Sequence, residues 1–92
     1  MCAYLKKDVE IAVRKLFPDR KKEEIMNVLN KYKSDSYRVH LAILKLSQGN
    51  YEQLVDFTNK AIIDFRDVLW WAEYEGKGSK KKIDSPYKGI LN

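Results

Sequence analysis

The 92-residue chain has a single cysteine, Cys2, two prolines and four glycines. One thiol cannot close an internal disulfide, so no disulfide framework is possible. A reducing compartment, most simply the cytoplasm, is expected. So little proline and glycine excludes a collagen-like chain. No apolar run approaches the roughly 18 residues that a membrane span needs. Residues 1–8 lack the apolar core of a signal peptide. Histidine occurs once, at His40. What is plentiful is apolar and charged side chains, at 45% and 34%. That is enough apolar surface to exclude a disordered polymer and to build one modest core.

Charge is uneven along the chain. Residues 1–33 carry nine basic and five acidic side chains, residues 34–75 carry four and seven, and residues 76–92 carry five and one. The net charge of +5 therefore resides largely in the ends. A weakly dipolar body with a basic tail is expected, rather than a uniformly basic nucleic-acid-binding fold.

The apolar pattern is helical throughout, and no segment alternates as a strand would. A first helix is expected over about 3–17, with Leu5, Val9, Ala12, Val13 and Leu16 on one face and Pro18 ending it. Asp19 offers a cap for a second helix, about 20–32, whose stripe is Ile25, Val28, Leu29 and Tyr32. A third, about 37–47, is apolar nearly all round and should be central. Gly49 suits the position after its end, and Asn50 with Gln53 fits a capping box for the next helix. From Tyr51 to Tyr74 no glycine or proline intervenes. A straight helix of about 36 Å would overhang so small a domain. Two segments, 51–63 and 64–74, are therefore expected, bent near Ile63–Asp64, with Leu54, Phe57, Thr58, Ala61, Phe65, Leu69 and Ala72 on the apolar face.

The stretch from Arg38 to Tyr74 resembles an uncharacterised family of short bacterial all-helical proteins. The residues that carry the likeness are Arg38-Val39, Leu41 to Leu46, Gly49, Leu54, Asp64 to Leu69 and Trp71 to Tyr74. The resemblance implies an all-helical fold and a bacterial cytoplasmic origin, and no activity. Residues 16–46 are also similar, more weakly, to ubiquitin-binding CUE and UBA-like domains. Leu16-Phe17-Pro18-Asp19, Ile25, Leu29 and Ala42 to Leu46 carry this likeness. It implies binding of a ubiquitin-like fold through Phe17 and Leu46.

Few residues suggest chemistry. Asp64 and Asp67 share a helix face, and Glu73 and Glu75 lie further on, but no histidine or facing carboxylate completes a helical metal site. Surface ion pairing is the expected role. His40 lacks an evident nucleophile or orienting acid and is expected on a partly exposed helix flank. Trp70 and Trp71 are adjacent, so they point about 100° apart and cannot both face the centre of the core. One exposed tryptophan would anchor a protein interface.

These readings predict an all-α, compact bundle of four to five helices forming a single domain over 1–75, then a basic flexible tail, 76–92. The expected function is a non-enzymatic protein-interaction or adaptor module, with a protein partner or self-association through Tyr51, Arg66, Trp70, Trp71 and Tyr74. The alternative is a nucleic-acid accessory protein using Lys77, Lys80, Lys81, Lys82 and Lys88. No catalytic residue, cofactor, metal, membrane span or small-molecule substrate is expected.

Overall fold

The computed structural model describes residues 5–32, 37–74, 83 and 86–91. Helix α1 spans Lys6–Leu16. Its start is set by Asp8, whose carboxylate accepts the Leu5 backbone N–H at 2.9 Å. Leu5 therefore stands outside the helix in an extended conformation, 54% exposed, and is not part of the buried face as its spacing suggested. Val9, Ala12 and Val13 are buried, and the chain turns out of the helix at Phe17, itself buried ahead of Pro18.

Helix α2 is shorter than its apolar pattern implied, Lys22–Leu29 rather than 20–32. Arg20 is held in a turn by its N–H on the Phe17 carbonyl, so the cap moves from Asp19 to Lys21, which has no side-chain cap bond. At the other end Lys31 and Tyr32 donate to carbonyls three residues back, which tightens the last turn out of α-helical register. Ile25, Val28 and Leu29 are its buried face.

Helix α3, Tyr37–Ser47, is the central element. Val39 to Leu44 are all buried, as the all-round apolar pattern requires. That run includes His40, only 3% exposed, so the histidine is not on an exposed flank. Helix α3 stops at Gln48 and Gly49, both at positive φ (52° and 80°). Glycine is required at 49 twice over. Its φ favours a residue without Cβ, and a Cβ there would lie 2.9 Å from the Leu16 carbonyl oxygen.

Helix α4, Tyr51–Glu73, opens with the Asn50 side chain accepting the Gln53 N–H at 3.0 Å. It breaks where expected. Asp64 has φ −156° and ψ 101°, extended values inside an otherwise helical run. Neither proline nor glycine causes this. The Asp64 carboxylate accepts the Arg66 N–H at 3.0 Å, which is the geometry of a helix N-cap. Asp64 thus ends one arm, 51–63, and caps a second, 65–73. In a straight helix Phe57 and Trp71 would be about 21 Å apart. Their ring centroids lie 6.2 Å apart, so the arms fold back on each other.

Helix α5 is a single turn, Lys88–Leu91, packed on α1. Tyr87 just before it is 1% exposed and belongs to the core, and Ile90 and Leu91 pack against that core. The part of 76–92 that is described therefore joins the body, whereas residues 76–82, 84, 85 and 92 lie outside the described residues. No strand occurs among the described residues, and the architecture is an all-α bundle. No described helix is long and apolar enough to cross a membrane.

Candidate functional site

The second arm of α4 carries three of the five interface residues expected from sequence, Arg66, Trp70 and Trp71, and Tyr74 caps its end. Arg66, Trp70 and Tyr74 recur at four-residue spacing and share a face. Trp70 is 42% exposed, and its ring meets Tyr74 edge-on at 6.4 Å. Trp71 turns the other way and is half-buried against Phe57. The Lys60 ammonium sits over both rings, 4.9 Å from Phe57 and 5.7 Å from Trp71, while pairing with Asp56 at 3.0 Å. These rings and Leu46 line a small hollow of about 300 Å³. Tyr51 is not part of this group. It lies at the start of the first arm, under the Arg20 guanidinium at 4.3 Å.

The break at Asp64 exposes two residues off the expected apolar face, Ile62 and Ile63, and one expected on it, Phe65. Ile62 is 52% exposed, Ile63 84% and Phe65 42%. Phe65 was expected on the apolar face. The break rotates it toward the rim instead, where its ring meets Tyr32 at 6.5 Å. Together with Ala61 and Arg66 these residues border a groove of about 500 Å³. A signal was present in the sequence: Ile62 and Ile63 fall off the stripe yet are large and aliphatic, just ahead of an aspartate. The Arg66 guanidinium holds Asp64 through Nε at 3.1 Å and Nη2 at 3.2 Å. That pairing lowers the Asp64 pKa and raises that of Arg66. Asp64 is thus engaged as a cap and ion-pair partner.

The other end of the second arm is tied down by buried charge. Glu73, expected at the surface, is 2% exposed. Arg38 on α3 donates to both of its carboxylate oxygens, with Nε 2.6 Å from Oε2. The Tyr87 hydroxyl donates to Oε2 at 2.6 Å. The Ile83 N–H donates to the Glu73 carbonyl at 2.7 Å. Lys45 donates to the Ala72 carbonyl at 2.5 Å. Burial lowers its pKa, an effect partly offset by the nearby Glu73 charge. Every member of this cluster has a partner, so it is a tie between α3, α4 and the C-terminal segment. Sequence spacing carried no trace of it, because 38, 73 and 87 meet only through the tertiary fold.

His40 sits beneath a cleft between α1, α2 and α3. Its Nε2 is 3.4 Å from the Tyr32 carbonyl. Desolvation lowers its pKa, with the Tyr32 and Leu29 carbonyls acting in the opposite direction. No nucleophile or acid hydrogen-bonds the ring among the described residues. No group of three or more His, Cys, Asp or Glu among the described residues could hold a metal ion. Of the lysines expected for nucleic acid, Lys88 is exposed on α5, and Lys77, Lys80, Lys81 and Lys82 lie outside the described residues. In comparisons with known proteins the chain matches no family model, and it has no match among curated proteins or solved structures.

Proposed function

We propose that the chain is a non-enzymatic protein-interaction module, which receives an apolar partner segment with basic flanks on the apex of α4. The observation that carries this reading is the exposure of Ile62, Ile63 and Phe65 around one groove at the Asp64 break. Clustered large apolar side chains at a surface mark contact sites more often than scattered ones do. Trp70 extends the surface along the second arm, and exposed tryptophan is a frequent anchor. The charge of the helix that carries the groove sets the sign of the partner. Across residues 52–67 the chain carries Glu52, Asp56, Asp64 and Asp67 against Lys60 and Arg66, so complementary flanks are basic.

The test uses two synthetic amphipathic helices of equal length, one of leucine and lysine and the other of leucine and glutamate. Each is titrated into the ¹⁵N-labelled full chain and monitored by amide NMR. Saturable shifts confined to residues 61–66 and 70, with the lysine peptide alone, are expected. Ile63→Asp should remove them. Equal response to both peptides, or none to either, overturns the reading.

A further inference from the structure

The outer face of α1 serves neither the core nor the α4 apex. Val9, Ala12 and Val13 bury the opposite face. Lys7, Ile11 and Arg14 follow one another at spacings of four and three, so they form one stripe along the helix. All three are exposed. The helix carries Lys6, Lys7, Arg14 and Lys15 against Asp8 and Glu10. Both acids are engaged, since Asp8 accepts the Leu5 N–H and Glu10 pairs with Lys22. Lys7 and Arg14 form no ion pair with another described residue.

The fold adds a third cation to this stripe. The two basic ends of the sequence lie far apart in the chain, yet α5 from one packs on α1 from the other. Exposed Lys88 therefore stands beside the helix that carries Lys7 and Arg14, and it too pairs with no described residue. The acidic helix α4 packs chiefly on α3 instead. Lys7 and Arg14 are about 10 Å apart along the helix axis. A polymer with an anion every few ångströms can meet both at once, and a nucleic-acid backbone has that charge density.

We infer that the outer face of α1, with Lys88 beside it, is a sequence-blind contact surface for nucleic-acid phosphates. An anionic membrane fits this face less well. Interfacial helices hold through buried apolar area, and the apolar face of α1 is already spent on the core. Ile11 alone remains on the outer stripe, 43% exposed. A protein partner would likewise want an apolar centre that the stripe lacks. The surface is separate from the α4 apex, and either can fail without the other.

The test is fluorescence anisotropy of two short labelled DNA duplexes of unrelated sequence, titrated with the full chain from low to physiological salt. Both duplexes should bind alike at low salt, with Kd about 10⁻⁴–10⁻⁶ M. Log K should fall with log salt at a slope of about −2.7 or steeper, for three phosphate contacts. Lys7→Gln combined with Arg14→Gln should flatten that slope by about 1.8 and weaken low-salt binding about tenfold or more. Both side chains are exposed, so the helical circular dichroism should not change. Lys31→Gln combined with Lys60→Gln removes the same charge just past α2 and on α4, and should leave the slope as it was. Vesicles of phosphatidylserine and phosphatidylcholine present the membrane instead. No duplex binding at low salt, a clear preference for one duplex, equal flattening by the two variant pairs, or binding of the vesicles in place of the duplexes overturns the inference.

Discussion

The two ends of the second arm of α4 are built on opposite plans. At its base, Glu73 is buried and bound by Arg38 from α3 and Tyr87 from the C-terminal segment, and Lys45 holds the neighbouring carbonyl. At its apex, Asp64 bonds Arg66 two residues away, and Ile62, Ile63 and Phe65 face solvent. The polar bonds of the base come from groups 14 and 35 residues distant in sequence, those of the apex from two residues away. Long-range polar bonds at one end can hold the hairpin of arms in place. The other end then displays apolar surface without losing its shape. Stability and recognition are separated along a single helix.

That separation can be broken most severely at the base. Arg38→Met strips the buried Glu73 carboxylate of both guanidinium hydrogen bonds and leaves it the Tyr87 hydroxyl and the more distant Lys45 charge. Loss of one partner of a buried pair is expected to cost about 3 kcal/mol, read from urea unfolding. Tyr87→Phe removes one hydrogen bond to a charged group and should cost about 1.5 kcal/mol by the same measurement. It should also raise amide exchange in α5, since a four-residue helix has little stability of its own.

A third, smaller effect is set by pH. His40 has a folded pKa below its ordinary value of 6.5, because burial disfavours the charged ring. The unfolded chain therefore takes up the proton first. Stability is full above about pH 6.5 and falls as pH drops through that value toward the folded pKa. Glu10, Glu23, Lys6, Lys22 and Tyr37 line the same cleft and share that field. Thermal unfolding between pH 5 and 8 should show this slope, and His40→Leu should flatten it. The effect should reach the apex, because His40 contacts the Tyr32 ring and Tyr32 contacts Phe65.

At the apex itself the stability effects are least. Asp64→Ala removes the internal cap and should loosen the packing of Phe57 on Trp71, seen as a red shift of tryptophan fluorescence. Ile63→Asp should leave stability within about 0.5 kcal/mol, as exposed substitutions do.

Much of this fold was legible because local rules agreed with the global one. The all-round apolar pattern of 37–47 named the central helix. The absence of any break from Tyr51 to Tyr74 forced the question of a bend, and size placed it at Ile63–Asp64. Boundaries were less legible. Asp19 has the chemistry of a cap, yet a turn through Phe17 and Arg20 delays α2 to Lys22. The surface was read in part. Trp70 and Trp71 divide as helix geometry requires, but the apex was hidden, since a helical wheel drawn through Asp64 misplaces Phe65, although Leu69 and Ala72 still meet the core. Glu73 and Tyr87 were illegible for another reason. A buried carboxylate and a surface one have the same letter, and only the fold brings Arg38 within reach.

The most direct test of the division of labour within α4 is the leucine–lysine peptide titration on three chains: wild type, Ile63→Asp and Tyr87→Phe. The account predicts that Ile63→Asp loses the peptide while keeping wild-type stability, and that Tyr87→Phe keeps the peptide while losing stability. If Ile63→Asp binds as wild type does, or if Tyr87→Phe loses the peptide while still folded, the two ends of the arm are not the separate devices described.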